Sequence, residues 1–103
     1  MNNTPCKKIK DICFQLGEPY SIKLIDFENT IYRDLGNGFD IEVSGLDNHQ
    51  KSINASIYVW RTKLFLDTVE TIHNITSIIE LKNTLDYLAI KYLNIPNFDS
   101  ISN

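Results

Sequence analysis

The 103-residue chain is short of most of the patterns that announce a chemistry. It has no G-x-S-x-G elbow, no phosphate-binding P-loop and no G-x-G-x-x-G fingerprint, so nucleophilic esterase, nucleotide and dinucleotide chemistries have no recognisable carrier. It has two cysteines and two histidines, with no C-x-x-C or H-x-x-x-H spacing. Metal ligands must converge on one point, and Cys6, Cys13, His49 and His73 offer no such convergence. No metal, cofactor or catalytic residue is therefore expected. No run approaches the roughly 18 apolar residues of a membrane span, and no charged-then-apolar leader opens the chain. The expected location is cytoplasmic. There are no internal repeats, no linker and no low-complexity block.

What is present is an ordinary globular load: 43% hydrophobic residues and a net charge of −3. That fits one domain with one core, placed over residues 1–96, with 97–103 as a flexible tail. Ile occurs 15 times, Asn 11 and Lys 8, but Ala and Arg only twice each. AT-rich codons produce this bias, pointing to a low-GC bacterium, phage or mobile element. Charge is uneven: between residues 26 and 47 six acids face Arg33 alone, a net of −5.

Periodicity sets the elements. Thr4-Pro5 reads as an N-cap and first helical position. Cys6, Ile9, Ile12, Cys13 and Leu16 then share one helical face, and Gly17 stops the helix. Cysteines seven apart on a helix stand about 10 Å apart along its axis, too far for a disulfide, so both thiols are expected to be reduced. Strand-like runs follow at 20–27, 30–35, 39–45, 52–61 and 64–73, with Asn37-Gly38 as a tight-turn signal. Ser77 and Glu80 form a capping box. Behind it Ile78, Leu81, Leu85, Leu88, Ala89 and Tyr92 make an apolar stripe, and Pro96 bars continuation. The expected fold is α+β: helix, a three- to five-stranded antiparallel sheet, helix, with both helices packed on one sheet face.

The stretch "SINASIYVW" (52–60) then becomes informative. Ile53, Ala55, Ile57 and Val59 face the core, so Asn54, Ser56, Tyr58 and Trp60 face outward. Asp40, Glu42 and, across a hairpin, Tyr32 and Asp34 join them. Aromatics among small polar residues, rimmed by acids, describe a contact surface for a protein partner. The plainer alternative is that these aromatics only stabilise a half-exposed sheet through cross-strand pairing. Ile79, Tyr87 and Ile90, off the main stripe of the last helix, give a second candidate surface, suited to self-association as a homodimer. Lys7, Lys8 and Lys10 with the sheet aromatics could contact nucleic acid, but the neighbouring acids repel phosphates, and direct nucleic-acid binding is not favoured.

A short acidic helix–sheet–helix chain with the stretch "IDFENTIYRDLGNGFDIEVSGLD" (25–47) resembles, as a class, the small inhibitors of host defence carried by phages and mobile elements, anti-CRISPR proteins among them. The resemblance implies a non-enzymatic inhibitor that blocks a nucleic-acid-binding effector. Asp34, Asp40 and Glu42 would steer the encounter, and Tyr58 and Trp60 would anchor it.

Overall fold

The computed structural model describes residues 4–62 and 67–95. In it, α1 (Lys7–Leu16) is followed by five strands, β1 (Ser21–Ile25), β2 (Glu28–Asp34), β3 (Phe39–Ser44), β4 (Ala55–Arg61) and β5 (Asp67–Ile75), and then by α2 (Ile78–Leu93). The strands form one antiparallel sheet in sequence order, a meander with β1 and β5 at its edges. The α+β plan with five strands is therefore realised.

The alternation in β3 and β4 does what its period dictates. Ile41, Val43, Ala55, Ile57 and Val59 are fully buried. They share one core cluster with Ile9 and Ile12 of α1 and with Leu81, Leu85, Leu88, Ala89 and Tyr92 of α2, so both helices lie on that face. Burying five such strand side chains contributes roughly 1.5–3 kcal/mol for each large aliphatic, which fixes the register: a slip of one residue would turn every one of them outward.

The helix ends separate local from tertiary control. In α2 the Ser77 hydroxyl accepts from the Glu80 N–H at 3.1 Å, while the Glu80 carboxylate accepts from the N–H of Thr76, one residue before the cap, also at 3.1 Å. In α1 the expected cap at Thr4 is corrected: the N-cap is Cys6. Its N–H donates to Asp47 Oδ1 at 2.9 Å and its Sγ faces the Asn48 carbonyl at 3.3 Å. The turn after β3 thus sets where α1 begins. Both cysteines are free thiols. Gly17, at φ 73, ends α1 as expected.

Two strand readings need refinement. The run 20–27 ends in a tight hairpin turn at Asp26-Phe27, between Ile25 and its partner Glu28. The "GNG" turn is a three-residue loop, Gly36-Asn37-Gly38, closed by the Leu35 N–H to Phe39 carbonyl bond. Within it Asn37 Nδ2 donates to the carbonyls of Tyr92 (2.7 Å) and Ile95 (3.2 Å), tying the loop to the end of α2. The start of the last predicted strand (64–66), Pro96 and the tail 97–103 lie outside the described residues. Among the described residues no helix is long and apolar enough to cross a membrane.

Candidate functional site: an acidic, aromatic groove on the outer sheet face

The sheet face opposite the helices carries the second set of alternating side chains. Register places Tyr32 opposite Glu42 and Glu42 opposite Tyr58; Asp34 faces Asp40, which faces Trp60. Four of these side chains bond to one another. Trp60 Nε1 donates to Glu42 Oε1 at 3.0 Å, and the Tyr32 hydroxyl donates to Asp40 Oδ2. The aromatics and acids are thus fixed in place by their neighbours rather than free to rotate.

This face is not flat. Ile25, at the end of β1, and Trp60, on β4, line the same cleft. In a flat sheet three strand spacings, about 14 Å, would separate those strands. The β1–β2 hairpin must therefore curl over the outer face. One lobe of the resulting groove, about 400 Å³, is bounded by Lys23, Tyr32, Asp40, Glu42 and Trp60. A second lobe, about 240 Å³, shares Ile25, Asp26, Glu42 and Trp60 and adds Glu28 and Tyr58.

The curl changes the acids. Partial burial pushes Glu42 above the ordinary glutamate value. The Trp60 N–H opposes this, and the nearby carboxylates of Glu28 and Asp26 add to it. Asp40 is raised as well, first by burial, against the Tyr32 hydrogen bond, and further by Asp34. Burial and the bond to Asp40 push the Tyr32 phenol far above its usual range. Lys23 lies 4.1 Å from the centroid of the Tyr32 ring and gives this lobe its cation.

The other residues expected on the face are more dispersed. The Ser56 hydroxyl lies 2.8 Å from His73 Nδ1, and the Tyr58 and His73 rings meet edge to face at 6.1 Å. Asp34 is turned locally, accepting from the Gly36 N–H at 2.8 Å. Asn54 precedes β4 and lines neither lobe. Lys23, Ile25, Asp26 and Glu28 are groove residues that the period-2 reading missed. Their only signal would have been a turn at Asp26-Phe27, and Phe27 stands where such a turn usually has glycine.

Elsewhere, potential chemistry is already engaged in structure. Cys6, Asp47 and His49 border one shallow hollow, but Cys6 Sγ faces backbone carbonyls and Asp47 holds the Cys6 and Asn29 N–H groups. Burial raises the Cys13 thiol, away from a reactive thiolate. Among the described residues no three His, Cys, Asp or Glu side chains gather as a metal site. Lys7 pairs with Asp11 at 2.6 Å, and Lys8 binds Asn48 and the Ser52 carbonyl. Both stand on α1, across the sheet from the aromatics, so the basic helix and the aromatic face do not form one surface. On α2, Ile79, Tyr87 and Ile90 are 74%, 59% and 64% exposed.

The chain matches no family model, and comparison with curated proteins and with solved structures finds no match.

Proposed function

We propose that the chain is a non-enzymatic interaction module that binds a protein partner through the curved outer face of its sheet. Tyr32, Asp40, Glu42, Tyr58 and Trp60 form the contact surface. The observation that carries this reading is the groove itself: Trp60 and Glu42, bonded to each other, sit half-buried in a cleft that no described helix covers. A sheet that only needed solubility would gain nothing from holding acids where burial and mutual repulsion raise them. Aromatic anchors beside carboxylates fit a basic partner surface. Together with the chain's size and coding bias, this favours a cytoplasmic inhibitor of the phage or mobile-element kind, anti-CRISPR-like in class, that occupies the basic groove of a nucleic-acid-binding effector.

The test is affinity capture from a low-GC bacterial host lysate, followed by rebinding of the purified partner. Trp60→Ala and the double variant Asp40→Lys/Glu42→Lys should each weaken rebinding at least tenfold, about 1.4 kcal/mol, with no fall in melting temperature beyond that of a surface change. A partner that both variants retain removes this face from the reading.

A second reading, a structural or regulatory homodimer, would have to use the solvent-facing Ile79, Tyr87 and Ile90 of α2. The nucleic-acid reading loses support because Lys7 and Lys8 are engaged on the opposite side of the sheet.

A further inference from the structure

The two lobes of the groove differ in charge compensation. Lys23 lines only the first, where it stands over Tyr32 beside Asp40. The second is walled by Ile25, Tyr58 and Trp60 and carries the carboxylates of Asp26, Glu28 and Glu42; no cation is among its described lining residues, and Lys23 acts on it only from the first lobe, lowering Glu42. Glu42 Oε1 accepts the Trp60 N–H and Glu28 Oε2 accepts the Gly45 N–H at 2.7 Å. Their second oxygens and both oxygens of Asp26 have no partner among the described residues. From this imbalance, and resting on the docking face proposed above, we infer that the second lobe receives an arginine side chain of the protein partner.

The chemistry selects arginine over lysine. The lobe offers a flat indole and a phenol ring beside the carboxylates of Glu42 and Glu28, each anchored by one hydrogen bond. A planar guanidinium can stack on the ring while forking its N–H groups to two carboxylates. An ammonium is more strongly hydrated and presents a point charge, so it gives up more water for fewer fixed contacts. About 240 Å³ admits one side chain and its stem, not a helix or a strand. Glu42 stays raised by burial, with Glu28 and Asp26 adding to it, despite the opposing Trp60 N–H and Lys23, and an incoming cation relieves what remains.

Trp60 is the chain's only tryptophan, so its indole N–H gives one side-chain NMR signal of that kind, located in the groove wall. The experiment titrates the intact protein with the peptides acetyl-Gly-Arg-Gly-amide, its Lys counterpart and its citrulline counterpart, following that signal. The Arg peptide should shift it saturably, with a dissociation constant on the order of 1 mM. The Lys peptide should bind about fivefold more weakly, and neutral citrulline should give no saturable shift. Glu42→Gln, which keeps an acceptor for the indole, and Asp26→Asn, in an exposed turn, should each weaken the Arg response at least fivefold. Ile90→Gln, on the far side of the molecule, should leave it unchanged. The inference is overturned by an absent Arg response, by equal responses to Arg and citrulline, or by an Arg response that survives both groove variants. If those results appear while Trp60→Ala still loses the captured partner, the docking face stands and only its arginine is lost.

Discussion

Two carboxylates in this chain titrate in opposite senses, and each shows what its surroundings are for. Partial burial acts on Asp47 upward, but the Cys6 N–H, then Asn29 and the Cys6 thiol, outweigh it and hold the group below the ordinary aspartate value. Its contribution to stability is therefore full above about pH 4 and is lost as the pH falls through its lowered value. Asp47→Ala should cost roughly 1–2 kcal/mol at pH 7, since it releases the start of α1, and the deficit should shrink at pH 2, as read by urea denaturation at both pH values. Glu42 runs the other way. Its raised value means that the folded protein holds a proton the unfolded chain has released, so stability falls as pH rises from about 4.3 through the raised value. At neutral pH its charge is a cost. Glu42→Gln should melt no lower than the parent at pH 7, with any gain vanishing near pH 4, in thermal scans at both pH values. A variant that melted clearly lower would mean that the charge, rather than the acceptor oxygen, holds Trp60 in place.

Among the elements, those built from one regular period were legible in the sequence and those set from a distance were not. The α2 stripe, the capping box and the inward rows of β3 and β4 follow from spacing alone. The start of α1 does not, because the residue that fixes it, Asp47, is 41 positions away from Cys6. The pairing of β5 with β4 shifts register between Ala55 and Ile57 and again between Val59 and Trp60, which breaks the alternation that would have revealed its faces. The groove was half legible: its floor is a period-2 pattern, but its curled lip depends on a turn with phenylalanine where glycine is usual. Asp26 and Phe27 both have positive φ, 50 and 67, as a type I′ hairpin requires, where Asn-Gly or Asp-Gly is the usual choice. A bulky residue in that region costs about 1 kcal/mol, and the Phe27 ring, 92% exposed, recovers nothing from the core. Phe27→Gly should therefore raise stability by up to about 1 kcal/mol. Urea denaturation checks this, and a clear loss of stability would mean that contacts of the Phe27 ring outweigh the backbone cost.

At the scale of the molecule, the two open surfaces lie on opposite sides: the groove on the outer side of the sheet, and Ile79, Tyr87 and Ile90 on the side of α2 turned away from it. They can therefore act independently, and one variant on each separates them. Even with the half-exposed Leu93, four side chains along one helix fall well short of the roughly 800 Å² per partner of a specific, stable interface. The groove, in turn, presents acids at its lip and so repels a second copy of itself. Both arguments predict a monomer in sedimentation at micromolar concentration. If a dimer forms, the variant that dissolves it identifies the surface. Loss with Ile90→Glu but not Trp60→Ala would give α2 the self-association role and leave the groove free for a partner. Loss with Trp60→Ala but not Ile90→Glu would mean that the groove is filled by another copy despite its charge, and the inhibitor reading would fall, because the surface it needs would already be occupied.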